Sequence, residues 1–485
     1  MAVVSRAKPR PSRKRGQSRE RKRLRKADMD IAASHRSQAL LLSVVDPEGA
    51  ATIHRVVLKI LQEVGVIVEH TAARKMLIQA GCQQKPDGYV RMPPDLVEHA
   101  ISSVPDRIVL YDQNGNVRVD TSQSVTSYCP GHNCVRTLDY QTGQLRPGTL
   151  EDIKRTAIVS DKLPNLDMVC ALGYPTDVPA EDEAVETMRL MLEYCSKPAA
   201  ILAHDELIQK RVLDLVADAC GGWSNLADKP IVLELMGPVS PLKLPDEFCT
   251  RLINCARWGI PVVCYSATFP GMSCPITTAG AIAQSSAEAL AGIVIHQLTE
   301  PGSPVMSGSA VLPMDMRQAD VAYGSPEYML TGLGAADYFG SIGIPSWVGA
   351  GCSDSHDFDT QAAAEAGANL AIAALAKTSL VHNLGYLSGG RTGSIELLVL
   401  CDELIGWVTK MAAGCNVDDE AIAYEVVRRA APDNSYLTDQ HTQNRYLTEN
   451  WLPNLFERSD STAWLEQGGV DLRGRIRQKL DDLLS

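Results

Sequence analysis

Apolar residues near the N-terminus recur at the three- and four-residue spacing of amphipathic helices. Between Pro47 and Pro105 this pattern covers HRVVLKILQEVGVIV, AARKMLIQAG and PPDLVEHAISSV, with Gly81 ending the second segment and prolines opening the third. Two short β-rich runs, RIVLYD and NVRVD, stand on either side of an Asn114-Gly115 turn. The pattern predicts a helical lead-in that ends in a hairpin.

A different pattern begins after residue 120 and repeats eight times. Each unit is a short apolar run, then small or polar residues, then a segment of helical spacing. Alternating strands and helices are typical of a parallel sheet, and eight units predict an α/β fold of the (β/α)8, or TIM barrel, type. The predicted strands are SVTSYCPG, LDMVCALGYP, PAAILAHD, PIVLELMGP, PVVCYSAT, PVMSGSAV, PSWVGAGCSD and LVHNLGYLSGG, and the predicted helices lie near 149–163, 180–196, 205–220, 246–258, 276–299, 325–340, 360–376 and 394–413.

The repeat stops at Cys415, and the remaining segments, VDDEAIAYEVVRRAA, RYLTENWLPNLF and DLRGRIRQKLDDLLS, are helical in pattern. The sequence therefore predicts four regions. They are a disordered basic tail over 1–30, a lead-in of helices and short strands over 31–120, the barrel over 121–414 and a C-terminal helical extension over 415–485.

The net charge of −12 conceals a strongly basic N-terminus. Residues 1–26 contain 12 Lys and Arg against one Glu, which leaves 34 basic and 57 acidic residues in the remainder. A run of this composition is typical of a solvated tail. Dense positive charge also binds phosphate without a fold, but nucleic acid is not the partner we expect.

The 13 cysteines are scattered and include no C-x-x-C pair, and no signal-peptide pattern opens the chain. Such cysteines are typical of reduced, buried thiols in a cytoplasmic protein. We expect no structural metal site, because the spacing of zinc ligands is absent. We also expect no membrane span, since no apolar run approaches about 18 residues.

In a (β/α)8 barrel, the loops at the carboxyl ends of the strands meet at one mouth, where function collects. Asp354 and His356, between an apolar strand and an Ala-rich helix, are our candidate catalytic residues. N-cap roles remain open for the nearby Asp357 and Asp359, as for Asp205. The candidate substrate-binding residues are Tyr128, His132, Tyr174, His204, Glu234, Tyr265, Trp347, His382, Tyr386 and Arg391.

Structural alternatives exist for several of these residues. His204 could cap a helix, and His382 could be a core histidine whose hydrogen bonds are satisfied. The rings of Tyr265, Trp347 and Tyr386 could equally belong to the core. Familiar motifs do not decide the matter, because the sequence contains no P-loop, no G-x-S-x-G and no H-E-x-x-H.

Beyond these local patterns, the chain resembles the trimethylamine methyltransferase family of corrinoid-dependent enzymes. The resemblance is carried by the run from Ile395 to Leu472, beginning IELLVLCDELIGWVTKMAAG, and by GHNCVRTLDYQTGQLRPGTLEDI, KPAAILAH and SDSHDFDTQAA. It extends from about Pro47 to the end of the chain. The corrinoid-carrying pattern D-x-H-x-x-G is broken at Asp354-Ser355-His356, because Asp359 stands at the glycine position.

The resemblance implies a barrel that takes a methyl group from a methylated amine and gives it to cob(I)alamin on a separate corrinoid protein. Trimethylamine members carry pyrrolysine in the barrel, whereas this chain contains standard residues only. It therefore resembles the non-pyrrolysine branch, whose members demethylate quaternary amines such as glycine betaine. The neighbourhood of the pyrrolysine position corresponds to Cys352 to Asp357.

The chemistry of a quaternary amine fits the residues predicted at the mouth. Attack by Co(I) on a methyl group expels a neutral tertiary amine, so no general acid is needed and positioning carries most of the catalysis. A trimethylammonium group has no N–H, so aromatic rings and diffuse negative charge must recognise it, each desolvated cation–π contact contributing up to about 2 kcal/mol. The carboxylate of a betaine requires donors, for which Arg391 and the histidines are candidates.

Two other interpretations remain open. One is a barrel methyltransferase or lyase that acts on another methylated substrate; a zinc-using relative of this kind would need a set of His and Cys ligands at the mouth. The other is a sensor that binds a quaternary amine and uses the basic tail on nucleic acid. Self-assembly into a homo-oligomer is also left open by the sequence.

Overall fold

The computed structural model describes residues 42–122, 125–376, 378–430 and 435–485. The predicted basic tail lies outside these residues. The described chain divides into two compact units. The barrel unit contains the described residues between 42 and 414 together with Pro453–Ser485, and a small helical unit contains those of Cys415–Leu452.

Three helices form the lead-in: α1 (Pro47–Lys59), α2 (Thr71–Gln79) and α3 (Pro94–Ser103). A single π-helical turn, Ile60–Val64, continues α1. Prolines in the first turn favour the starts of α1 and α3, because a helix leaves those N–H groups unpaired. The apolar face of these helices is buried in the main hydrophobic cluster, as the sequence pattern predicts.

The predicted hairpin follows, with strands Val109–Tyr111 and Val117–Asp120. Its turn contains Gly115 at a φ of 80°, a conformation that glycine adopts without steric cost. Leu110 and Val119 are fully buried in the same cluster as the side chains that fill the barrel interior. The hairpin therefore closes one end of the barrel.

An ion pair holds this hairpin and gives a pH prediction. Arg107 donates from Nε to Asp120 Oδ1 (3.1 Å) and from a terminal nitrogen to Oδ2 (2.8 Å). This hydrogen bond lowers the pKa of Asp120 to about 2. Because the pKa is lower in the folded state, the pair stabilises the fold above about pH 4 and loses that contribution as the pH falls towards 2.

We therefore expect Arg107→Gln to lower the free energy of unfolding slightly at pH 7, since Arg107 is exposed to solvent and the pair is screened. The difference from the unchanged protein should shrink steadily as the pH falls from 4 through the Asp120 pKa of about 2. Urea unfolding at several pH values measures both quantities. A difference that stays constant down to pH 2 would contradict the ionic origin of the effect.

Seven parallel strands form the barrel sheet. Every residue of these strands except Tyr265 and Ala267 is buried, which explains their near-continuous apolar runs. The strands follow one another around the sheet in the order β1, β7, β6, β5, β4, β3 and β2. They are β1 (Ser127–Pro130), β2 (Ala199–Ile201), β3 (Val232–Met236), β4 (Val262–Thr268), β5 (Val305–Val311), β6 (Ser346–Gly349) and β7 (Leu380–Leu384).

The eighth predicted strand, LDMVCALGYP, is irregular but lies between β1 and β2. Val169 forms an isolated parallel bridge with Ala199, and the N–H groups of Asp167 and Met168 both donate to the carbonyl of Tyr128. The Asp167 carboxylate accepts a hydrogen bond from the Tyr128 N–H at 3.0 Å. This N–H is therefore not available for a regular β-ladder between the segment and β1. The prediction of a barrel is confirmed, and the prediction of eight regular strands is corrected to seven plus this bridging segment.

Helices follow the strands as the pattern predicts. Side-chain caps start several of them, including Asp205, Asp359 and Ser394. The helices are α4 (Leu150–Lys162), α5 (Glu183–Tyr194), α6 (Glu206–Ala219), α7 (Trp223–Asp228), α8 (Asp246–Trp258), α9 (Thr278–Thr299), α10 (Pro326–Ser341), α11 (Thr360–Leu375) and α12 (Ile395–Ala412).

Short strands decorate the barrel. Thr392–Gly393 pairs with Arg136–Leu138, which joins the loop after β1 to the loop after β7. A small hairpin follows β5 at Met314–Asp315 and Asp320–Val321. The other short pairs are Tyr386–Leu387 with Thr392–Gly393, Arg136–Leu138 with Leu145–Arg146, Ile67–Val68 with Lys243–Leu244, and Gln83–Gln84 with Val90–Arg91.

The small helical unit contains α13 (Asp419–Ile422), α14 (Tyr424–Ala430) and α15 (Gln440–Glu449). The barrel unit ends with α16 (Ser461–Glu466) and α17 (Leu472–Leu484). In α17, Arg473 forms ion pairs with the buried Glu396 and with Asp357 in the loop after β6. The last helix therefore holds a loop at the carboxyl end of the barrel.

Of the described helices, α9 has the length and apolar composition that a membrane crossing requires, but 78% of its most apolar stretch is buried inside the fold. It packs in the main hydrophobic cluster between the lead-in helices and the barrel. Burial by protein explains its composition.

Candidate functional site

Two predicted aromatic residues stack inside the barrel. The rings of Tyr265 on β4 and Trp347 on β6 lie 4.8 Å apart at 24°. Gly308 of β5 stands between them in register with both, and a Cβ there would lie 2.1 Å from the Trp347 carbonyl oxygen. The glycine lets the strands carry two large rings side by side, which orients them towards the barrel interior.

Two predicted histidines meet above this stack. His132 Nδ1, in the loop after β1, lies 3.3 Å from Nε2 of His382 on β7. The His382 ring is also 5.8 Å from the Trp347 ring. His382 is fully buried, whereas His132 is partly exposed. The imidazoles therefore form a continuous surface with the indole.

Tyr386 fixes the backbone beside His132. Its hydroxyl donates to the His132 carbonyl (2.8 Å) and accepts from the His132 N–H (2.7 Å). Its ring lies against Gly131, where a Cβ would come within 2.0 Å of the ring carbon Cε1. The tyrosine thus joins β7 to the loop that carries His132.

The structure adds two rings that the sequence analysis missed. Tyr323, in the loop after β5, lies 6.1 Å from Tyr386 and 4.8 Å from Tyr328 at the start of α10, in both cases edge to face. Their positions on either side of a helix start, in the motif YGSPEY, are the available sequence signal. Seven rings now form one series: Tyr265, Trp347, His382, His132, Tyr386, Tyr323 and Tyr328.

Burial keeps His132 and the tyrosines of this ring series neutral. Burial, and then the neighbouring His382, hold the pKa of His132 well below its usual range. Burial also raises the pKa of Tyr386 and Tyr328 well above theirs. At neutral pH the tyrosines are therefore phenols, and His132 is an uncharged imidazole.

Cys170, in the bridging segment, lies beside His382 and beside Cys129 of β1, and its thiol donates to the Ala200 carbonyl at 3.4 Å. The interaction with Cys129 lowers the pKa of the Cys170 thiol, against the effect of burial, and His382 acts in the same direction. A polarisable sulfur therefore lies next to the His382 imidazole. The sequence analysis missed Cys170, because an isolated cysteine in an apolar run carries no signal.

The two candidate catalytic residues lie in the loop after β6, with Arg391 nearby. Asp354 accepts the N–H groups of Tyr323 and Gly324, each at 2.8 Å. Burial raises its pKa, although these two bonds oppose the shift. His356 is exposed, with Nδ1 3.0 Å from Ser388 Oγ. Both oxygens of Asp354 are therefore engaged in holding the loop that carries Tyr323.

Arg391 is also committed to this loop. It forms two hydrogen bonds with Asp320, at 2.7 and 2.6 Å, and its side chain is half exposed. The preceding Gly390 packs closely against Tyr323 and Tyr386. Arg391 and His356 therefore form a polar rim next to the ring series.

Two predicted substrate-binding residues face away from the ring series. Tyr128 packs in the cluster between the barrel and the helices, with Val159 and Leu397. Glu234 is fully buried and points to α6 and α8, where it binds Arg251 (3.0 Å) and accepts from Gln209 Nε2 (2.7 Å). Both are on the outer face of their strands, where they hold the helical layer.

Tyr174 and His204 stand apart from the rings, near Glu183 at the start of α5. A shallow pocket lies beside Glu183 and is also lined by Asn133, Cys170 and Thr187. Glu183 is buried, which raises its pKa. The pocket reaches Cys170 of the bridging segment.

A zinc-dependent reaction would require a set of metal ligands at the mouth of the barrel. Within the described ranges, no cluster of three or more His, Cys, Asp or Glu side chains has the arrangement to hold a metal ion. His132 and His382 contact each other, and no carboxylate hydrogen-bonds to either ring among the residues described.

A parallel barrel with a ring-lined, partly polar site at the carboxyl ends of its strands defines an enzyme of the TIM-barrel class. The sequence matches the trimethylamine methyltransferase (MTTB) family over residues 12–485. The chain belongs to this family, as the sequence analysis predicts, and it is a methyltransferase.

Individual relatives cover most of the chain. It is 28% identical to the trimethylamine methyltransferase MttB of Desulfitobacterium hafniense (strain DSM 10664 / DCB-2), over 89% of this chain and 87% of that protein. It is 27% identical to the glycine betaine methyltransferase of Desulfitobacterium hafniense (strain Y51), over 88% and 89%. Among solved structures, the monomethylamine methyltransferase (MtmB) of Methanosarcina barkeri aligns with a TM-score of 0.50 at 12% identity, covering 94% of this chain and 92% of that one, which supports the fold.

Proposed function

We propose that this methyltransferase takes a methyl group from a quaternary amine, glycine betaine or a similar betaine, and delivers it to cob(I)alamin on a separate corrinoid protein. The observation that carries the proposal is the series of seven rings at the carboxyl end of the barrel. Relatives named for trimethylamine and for glycine betaine support a methylated amine as donor. The sequence contains no pyrrolysine, which favours the quaternary donor.

A permanently charged methylammonium group has no hydrogen-bond donor on nitrogen. Aromatic faces attract it, at about 0.5–2 kcal/mol for each ring that it contacts. Tyr265, Trp347 and Tyr386 supply such faces, and the polarisable sulfur of Cys170 lies beside His382 in the same series. We expect these groups to bind the cation without a tight ion pair, which would oppose loss of positive charge in the transition state.

The protonation state of the site also suits a quaternary donor. Departure of a neutral tertiary amine requires no proton, and the pKa of His132 is held too low for it to act as an acid at neutral pH. The carboxylate of a betaine would find Arg391 and His356 at the rim, so these two residues are proposed to select the substrate. In this proposal Asp354 acts by positioning Tyr323.

The methyl acceptor must reach the mouth from outside. Large apolar side chains are exposed in the loops after β3, β4 and β5, namely Val239 (53%), Met272 (67%), Ile276 (65%) and Met316 (60%). They offer a surface on which a partner protein can pack. The reduced corrinoid would supply the nucleophile, while the residues of this chain bind and orient the amine and exclude water.

The 13 cysteines are all free, most of them buried, which supports a reducing compartment and hence the cytoplasm.

The proposal predicts that the purified protein methylates cob(I)alamin when glycine betaine is added. The change is followed in the visible spectrum, and γ-butyrobetaine, carnitine, proline betaine and trimethylamine are compared with glycine betaine at equal concentration. We expect a betaine to be the preferred donor. Absence of methylcobalamin with every betaine, when free methylamine donors do react, would overturn the proposed substrate class.

A further inference from the structure

The hydrogen bonds of His382 continue away from the ring series into the barrel wall. His382 Nδ1 lies 2.7 Å from Asn383 Oδ1, and Asn383 Nδ2 donates to the Tyr328 hydroxyl at 2.8 Å. An amide oxygen only accepts, so in this arrangement Nδ1 of His382 carries a proton. Nε2 is then the nitrogen that faces His132 Nδ1.

The backbone at Asn383 is unusual for a strand. Its φ is 76°, in the left-handed region, and the register between β7 and β1 shifts between Val381 and Leu384. Asparagine is among the few non-glycine residues that tolerate this conformation. Strained residues of this kind persist where the surrounding structure holds them, and they concentrate at functional sites.

The neighbouring strand leaves room for the Asn383–Tyr328 hydrogen bond. Gly349, at the end of β6, has no side chain, and a Cβ there would lie 2.0 Å from the Tyr328 hydroxyl oxygen and 2.3 Å from Asn383 Nδ2. The bond thus occupies the space that any other residue at 349 would fill. Residues of three elements, β6, β7 and α10, therefore meet at the side-chain amide of Asn383.

We propose that Asn383 is a positioning residue of the methyl-transfer site, which holds His382 in the Nδ1-protonated tautomer while Tyr328 orients the Asn383 amide. Nε2 of His382 then accepts the proton of His132 Nδ1, and His132 presents an unprotonated Nε2. The expected effect of Asn383 on the rate of methyl transfer rests on the proposed function. The position of the proton on the His382 ring does not, because it can be measured in the protein without any substrate.

The groups that face the two imidazoles are consistent with this role. They are Cys170 of the bridging segment, Tyr386 after β7 and the indole of Trp347. Among the described residues, no Asp, Glu, Lys or Arg hydrogen-bonds to either ring. A lone pair turned towards a cationic substrate is favourable, whereas an N–H in the same place would repel it.

The test uses Asn383→Gly, because glycine removes the side chain and accepts a φ of 76° without strain. The tautomers are read by nitrogen NMR of the full chain labelled with ¹⁵N-histidine, with His382→Gln to assign the signal. We expect Nδ1–H at His382 in the unchanged protein, a mixture in the glycine variant, and kcat/KM lowered about 10-fold. Circular dichroism should be unchanged.

Two more variants separate positioning from packing. Asn383→Asp keeps the oxygen acceptor and should restore the Nδ1–H tautomer, whereas Tyr328→Phe should let the amide turn and mix the tautomers. Tyr338→Phe is the matched control, because Tyr338 is also buried on α10 and hydrogen-bonds to a histidine, His54, at 3.0 Å. It should leave both tautomer and rate unchanged.

The proposal is overturned when the glycine variant retains Nδ1–H at His382, or when the aspartate variant loses the tautomer as fully as the glycine variant does. Failure of the proposed function would look different. The unchanged protein would then transfer no methyl group from any amine, while the NMR signals would still report whether Asn383 sets the tautomer.

Discussion

Replacing Trp347 with Leu is expected to lower kcat/KM for a quaternary amine about 30-fold. Trp347 stacks on Tyr265 and lies 5.8 Å from the His382 ring, so it links Tyr265 to the rest of the ring series. Loss of one desolvated cation–π contact costs about 2 kcal/mol, which corresponds to this factor. Trp347→Phe keeps an aromatic face and should lose less than about 5-fold.

A neutral analogue makes this experiment specific for the charge. 3,3-Dimethylbutanoate has the shape of glycine betaine with carbon in place of nitrogen. Competition between the two measures how strongly the site prefers the cation. The unchanged enzyme should prefer betaine clearly, and Trp347→Leu should lose most of that preference. A leucine variant that still prefers the cation to the same degree would show that the indole is only a packing residue.

Replacing Glu234 with Ala is expected to lower the free energy of unfolding by about 3–5 kcal/mol, with little change in the activity of the folded fraction. Glu234 is fully buried and makes an ion pair with Arg251, and Cys255 Sγ donates to its second oxygen at 3.0 Å. Removing the carboxylate leaves the charge of Arg251 without its partner in a largely buried place. Denaturant unfolding measures the loss.

The double variant Glu234→Leu with Arg251→Met is the control, because it removes both charges together. Replacement of a buried ion pair by apolar residues is often neutral, so this variant should be much less destabilised than Glu234→Ala. Kinetics at saturating and low substrate complete the test. An increase in KM without a loss of stability would show that Glu234 binds the substrate, as the sequence analysis predicts.

Glu234 and Tyr265 show that the sequence does not determine which face of a buried strand a side chain occupies. Both stand inside strands that are buried on two faces, PIVLELMGP and PVVCYSAT, and such strands show no alternation of apolar and polar residues. Their sequences therefore do not reveal which side chains point into the barrel. The structure places Tyr265 and Trp347 inside and places Tyr128 and Glu234 against the helices.

Residues brought by loops were predicted in part. The sequence predicts His132, His382 and Tyr386 at strand ends, and their rings do meet, whereas Tyr323 and Tyr328 carry no strand-end signal. The Asp354 carboxylate accepts hydrogen bonds from the N–H groups of residues 323 and 324, and these bonds position Tyr323 at the site. A contact of this kind joins two loops that are 30 residues apart in the chain, so no local pattern contains it.

The sequence by itself determined the order of strands and helices, the barrel and the family, because hydrophobic periodicity and capping residues act locally and motifs are read directly. Only the tertiary structure decided which buried side chains face the interior, which thiol lies beside His382, and that Asn383 meets Tyr328 across Gly349. Those facts depend on the register of neighbouring strands and on backbone conformation at single residues. Register and conformation are set by packing across the whole barrel, which a single sequence does not display.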